Sequence, residues 1–228
     1  MIEITAENKE ALYQDAVSCS KKSFSFHQVA EAREVLLALG DYKESAACVK
    51  MCDRFLAHRP GTKVTFGNYQ GKELVWTILE TNGQSMLLFA DDVVDVEKFH
   101  FERNEINWNS CQLRKWLNRT FLEEAFSFQE RMYIMLSKLN NSFDPRWDVE
   151  NGPDTKDKVY VFSLPELLKY CPTEESRALG KWWWLRGHGY SNLTQKAVYE
   201  DGTIYEQGIS PNSENVGVRP VMLVRINR

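Results

Sequence analysis

Residues 1–59 place apolar side chains three and four apart, the spacing of one helix face; from residue 61 onward the interval shortens to two, the spacing of one strand face. In the first stretch Leu12, Ala16 and Cys19 share one side of a helix predicted over residues 6–19. Ser25 followed by Gln28 is a capping-box pair. Behind it Val29, Ala32, Leu36 and Leu39 make the stripe of a second helix, and Gly40 supplies a left-handed stop. Asp41 with Glu44 opens a third helix bearing Tyr42, Ala46, Val49, Cys52 and Leu56, and Pro60-Gly61 ends the run.

In the second stretch strands are predicted at 63–66, 74–79 and 85–90, the last two joined across Asn82-Gly83, a two-residue hairpin signal. A helix starting near Asn109 or Ser110 carries Leu113, Trp116, Leu117 and Phe121. Another, capped by Ser127 with Glu130, includes Ile134. A polar loop over 140–158 leads to a strand at 159–162 and a short helix capped by Ser163 with Glu166. The remainder reads as a β-meander: 182–186, 196–199, a turn at Asp201-Gly202, 204–205, and 216–226. Strand pairs around central helices define an α+β domain over 61–228, preceded by a helical module over 1–59.

Hydrophobic residues at 43% and aromatic residues at 12% suffice for a packed core. A net charge of -4 with dispersed lysines and arginines leaves no footprint for nucleic acid. No apolar run approaches the ~20 residues of a membrane span. The first seven residues lack the basic start and apolar stretch of a secretory signal, so a cytoplasmic location is expected. The cysteines, at 19, 48, 52, 111 and 171, are odd in number and include no CxxC pair. They read as buried reduced thiols, not as a disulfide framework or a zinc site.

The phrase ALGDYKESA at 38–46 resembles tetratricopeptide-like helical hairpins. Only about one and a half repeats are present where three or more stabilise a solenoid, so this module is expected to pack on the second domain or on a protein partner. From 61 to 226 an ordered set of phrases is similar to an uncharacterised bacterial domain family of unknown function: TKVTFG at 62–67, WNSCQLRKWLN at 108–118, TKDKVYVFSL at 155–164, WWWLR at 182–186 and GVRP at 217–220. The closing WWWLR…DG…GVRP pattern resembles C-type-lectin-like domains, including the formylglycine-generating-enzyme group, and implies a lectin-like mixed sheet with two or three helices. Two departures stand out. Gly187-His188-Gly189 follows Leu185-Arg186 where members carry Ser-Pro-Gly, and the last strand is Val221-Met222-Leu223-Val224 instead of alanine-rich.

Three adjacent tryptophans, Trp182, Trp183 and Trp184, are expected to build core from a central strand, with Trp183 facing opposite to its neighbours. Arg186 and Arg219 lie in apolar strands and need partners, for which Asp201 and Glu200 are candidates. The loops at 187–192 and 210–215 join glycine freedom to His188, Tyr190, Asn192, Asn212 and Asn215. With Tyr199 and Tyr205 on adjacent strands they form the expected ligand-binding surface. No histidine or cysteine falls in a catalytic or metal-ligand spacing, and no cysteine follows Cys171, so the cysteine-pair chemistry of the formylglycine-generating enzymes does not carry over. The expectation is a non-catalytic module recognising protein or carbohydrate through the meander loops, without metal or cofactor. The alternatives are an enzyme with His188 as general base and an interaction scaffold acting through residues 1–59.

Overall fold

The computed structural model describes residues 4–22, 25–82 and 84–226. The chain divides into two compact units, residues 1–62 with 80–86 and 226–228, and residues 63–79 with 87–225. The expected hairpin residue Gly83 and the first three residues of the signal reading lie outside the described residues; Asn82 is described, and its Oδ1 accepts the N–H groups of Gln84 and Ser85 at 2.9 and 2.8 Å. Among the described residues no helix is long and apolar enough to cross a membrane.

The helical part consists of α1 (Lys9–Lys22), α2 (Phe26–Leu39) and α3 (Ser45–Leu56). Ser25 accepts the Gln28 N–H at 3.4 Å and Gly40 closes α2 at φ 59°, so the local signals do what their chemistry requires. The third helix starts later than Asp41 because a tight turn intervenes, with Lys43 at φ 49° and the Ser45 N–H on the Tyr42 carbonyl. In α1 the inward position belongs to Tyr13 beside Ala16, and Leu12 and Cys19 are only half-buried. The Tyr13 ring meets Tyr42 edge-on at 5.5 Å.

The rest is mixed. It runs β1 (Lys63–Tyr69), β2 (Lys72–Thr81), β3 (Ser85–Ala90), β4 (Asp95–Val96), α4 (Gln112–Trp116), a π-helical turn (Leu117–Phe121), α5 (Leu122–Ala125), α6 (Phe128–Tyr133), β5 (Ile134–Met135), β6 (Ser137–Leu139), β7 (Thr155–Asp157) and β8 (Val159–Tyr160). It continues through α7 (Leu164–Tyr170), α8 (Glu174–Arg177), β9 (Trp183–His188), β10 (Gln195–Val198), β11 (Ile204–Ile209), β12 (Gly217–Val218) and β13 (Val221–Arg225). One sheet has the order β1-β2-β3-β13-β5, with β8 also on β13. A second has the order β11-β10-β9-β12-β4, and β6 pairs with β7 alone. The architecture is α+β, as the alternation of periods predicts.

Several boundaries differ from the sequence reading. Ile134 leaves α6 for β5, where it pairs with Val224. The loop expected over 140–158 gives up Thr155–Asp157 to a strand that pairs with β6. The strand expected over 216–226 breaks at Arg219-Pro220, because proline cannot donate to a ladder, and its halves join different sheets. The tryptophan strand begins at Trp183, and it is central: Trp183 aligns with Val198 on one side and, in parallel, with Gly217 on the other. Trp183 and Trp184 are fully buried on opposite faces. Trp183 reaches Phe89, and Trp184 reaches Phe99 and gives its indole N–H to the Glu97 carbonyl at 2.7 Å.

Candidate functional site

The recurrent phrases turn out to be joints between elements. Trp108 and Arg114 both donate to the buried Asp157, at 2.9 and 2.7 Å, and Thr155 adds a third bond at 2.7 Å. Asn118 accepts the N–H groups of Lys158 and Val159 and donates to the Val159 carbonyl. Thus the phrase at 108–118 clamps the phrase at 155–164, the Arg114 guanidinium and two neutral donors satisfying an otherwise costly buried carboxylate. In the phrase at 62–67, Gly67 at φ 81° gives its N–H to Glu130, and a Cβ there would strike the Phe126 ring at 2.5 Å.

Arg186 and Arg219 are held differently from expectation. Neither pairs with Asp201 or Glu200: Asp201 caps its own turn by accepting the Thr203 N–H, and the Glu200 carbonyl takes the Gly180 N–H. Arg186 forms an ion pair with Glu166 and donates to Asn141 Oδ1 and to the carbonyls of Val161 and Asn140, at 3.0, 3.0 and 3.3 Å. Glu166 reaches it because the capping box of α7 turns the carboxylate back on Ser163, whose N–H and Oγ bond to Oε2 at 2.8 and 2.9 Å. Arg219 has no carboxylate partner among the described residues. It donates to the Ala90 and Asp91 carbonyls and lies over the rings of Phe89 and Trp183 at 3.9 and 5.2 Å, while burial brings its pKa down to about 10.

Beside Arg186 a partly open cavity of about 140 Å³ lies between the irregular chain at 140–145, Asn151, the start of α7 (Ser163, Leu164, Pro165) and the strands β9 and β10. Two cations form its inner wall, Arg186 and Lys196, each with a side chain 2% exposed. Lys196 bonds Asp144 Oδ2 at 2.6 Å and the His188 carbonyl. Burial raises the Asp144 carboxyl, but the Lys196 ammonium and the N–H groups of Arg146 and Trp147 outweigh it, and the group sits below the ordinary carboxylate range. The wall is braced from behind: Asn151 accepts the His188 N–H and donates to the Ser142 carbonyl, both at 2.7 Å, and Asn141 donates to the Pro153 carbonyl at 2.8 Å. Phe143, 43% exposed, stands at the lip.

The seven residues expected to bind ligand do not share one surface. His188 is 3% exposed, with Nδ1 at 2.9 Å from Gln195 Nε2, and does not line the cavity. Burial, reinforced by Lys196, lowers its pKa even though the Thr194 carbonyl pulls the other way. Tyr190 is 53% exposed. The Asn192 carbonyl accepts the Ile106 N–H, Asn212 Oδ1 accepts the Ser210 hydroxyl at 2.7 Å, and Asn215 occupies a turn at φ 63°. Tyr199 and Tyr205 do meet, ring to ring at 5.1 Å, and Trp182 extends the run at 4.1 Å from Tyr199. The sequence reading missed Lys196, Asp144 and Asn151. A lysine inside the apolar strand at 196–199 was the available signal, because a buried ammonium demands a carboxylate.

These features define a small α+β domain whose tryptophan strand backs a polar cavity. The chain belongs to the DUF6273 family, a domain of unknown function, whose model matches residues 83–226. The phrase at 62–67 lies outside the matched span. No curated protein and no solved structure matches the chain.

Proposed function

We propose that this domain is a non-catalytic binding module and that its ligand is a small polar molecule held in the cavity at Arg186 and Lys196. One observation carries the reading: two buried cations face a solvent-connected cavity, each fixed by a carboxylate yet each keeping one N–H unused among the described residues. A guanidinium has five N–H groups and an ammonium three, and the contacts account for four and two. Such preorganised donors beside apolar side chains are the ordinary make-up of a ligand site. The hydroxyl at the cavity's edge, Ser163 Oγ, already donates to Glu166, which is ion-paired with Arg186.

The test is a thermal-shift screen of small sugars, amino acids and carboxylates, repeated with Ser142→Trp, which places an indole in the cavity from an exposed position. A saturable rise in Tm that Ser142→Trp abolishes is expected. No rise with any compound, or a rise indifferent to that substitution, would overturn the proposal.

A second reading keeps recognition on the meander, in the lectin-like manner, and rests on the half-buried run Trp182–Tyr199–Tyr205 with Tyr190 exposed. It expects a protein or glycan whose binding falls with Tyr199→Ala and Tyr190→Ala and is unaffected by Ser142→Trp.

A further inference from the structure

We infer that the cavity takes an uncharged polyhydroxylated ring, a neutral saccharide unit, in preference to an anion or a zwitterion. The inference rests on the first reading above and names its ligand class. Its basis is the charge arithmetic of the wall. Arg186 is matched by Glu166 and Lys196 by Asp144, so no net positive charge awaits an anion. An incoming carboxylate or phosphate would sit beside two carboxylates, or displace one from its cation and leave it half-buried and unpaired, which is costly.

What remains unsatisfied is a set of single N–H groups next to carboxylate lone pairs. A hydroxyl fits that pattern, because it accepts from the ammonium or guanidinium and donates to the neighbouring oxygen at once. Adjacent hydroxyls on a ring would repeat the exchange at Lys196–Asp144 and at the Ser163 and Asn140 edge. The lining also includes the apolar side chains of Phe143, Pro145, Leu164 and Pro165. That surface suits the C–H face of a sugar and offers nothing to a small ion. The cavity, of about 140 Å³, is partly open, so it takes one edge of a sugar ring and leaves the rest in solvent.

The experiment uses the full chain and isothermal titration with neutral monosaccharides and short oligosaccharides, against amino acids, dicarboxylates and inorganic phosphate, at low and high salt. The expected result is saturable binding of at least one neutral sugar, unchanged by salt because no net charge is exchanged. Phe143→Ala should weaken it about tenfold by removing the apolar lip, and Ser142→Trp should abolish it. Both positions are exposed, so folding is checked by an unchanged melting curve. If a charged compound binds instead, falls with salt and is blocked by Ser142→Trp, the saccharide assignment is wrong and the cavity reading stands. Binding by no compound of any class removes both.

Discussion

At the scale of single residues, the buried polar groups divide into those with a partner of opposite charge and those without. Arg186 and Lys196 have one; Arg219 instead uses backbone carbonyls and ring faces. That these arginines need partners was legible from apolar strands containing them, but the partners were not, because Glu166 and Asn141 approach Arg186 only through tertiary folding. His188 carries a prediction of its own. The His188 ring is buried, with Nδ1 at 2.9 Å from Gln195 Nε2 and at 3.2 Å from the Thr194 carbonyl. Its pKa is lowered by burial, so the unfolded chain binds a proton at a pH where the folded protein does not. Stability contributed by the neutral ring is therefore whole above the unfolded value of about 6.5 and is lost as pH falls toward the folded value, with a slope of up to about 1.4 kcal/mol per pH unit. Urea titrations between pH 7.5 and 5 should show that slope in the parent and its absence in His188→Gln. Parallel curves would mean that the imidazole is protonated in the folded protein too.

Among the elements, local chemistry was the readable part. The boxes at Ser127–Glu130 and Ser163–Glu166 form as spelled, since each needs only four consecutive residues. The pairing of β6 with β7 was not readable: its partners lie on either side of residues 140–154, and polar composition there looks like any exposed loop. The turn at Asp201-Gly202 shows how much rests on one such signal. Gly202 sits at φ 90°, and a Cβ would stand 2.0 Å from the Glu174 carbonyl oxygen. That oxygen already accepts the Ala178 N–H at 2.8 Å, and the Gly202 carbonyl accepts from buried Arg177 at 2.7 Å, so neither side can yield. Gly202→Ala should cost about 2–4 kcal/mol, from the left-handed backbone and the clash together. Asp201→Ala, which removes only exposed bonds to Thr203, should cost clearly less. Equal losses in guanidinium unfolding would show that the close approach to α8 is not what the glycine serves.

Across the whole molecule, the class of fold follows from the change of hydrophobic period, but the cavity does not. Its lining reads piecewise as loop at 140–145, cap at 163–165, core strand at Arg186-Gly187 and meander at Lys196, and only assembly turns those pieces toward one space. The cysteines offer a test of that assembly. All five are free; four are buried, and Cys19 is half-buried. Burial pushes Cys52 up to about 11 and Cys111 up to about 12, and raises Cys171 as well. The thiolate is the reactive form, so in the folded protein these groups should label only through opening. In native buffer a maleimide or aromatic disulfide reagent should modify Cys19 promptly and the other four slowly, and reductant should leave the melting temperature unchanged. With increasing guanidinium, Cys48 and Cys52 should become reactive at one shared midpoint, since both lie in the core of Leu36 and Tyr13. Cys111 and Cys171 should likewise share a midpoint. Cys111 accepts the Arg114 N–H at 3.4 Å at the start of α4, and Cys171 ends α7, whose first turn lines the cavity, so exposing either means dismantling an element of the same unit. Early labelling of Cys111 alone would show that α4 frays while the strands hold, and the clamp from Arg114 to Asp157 would then contribute little to the unit's cooperativity.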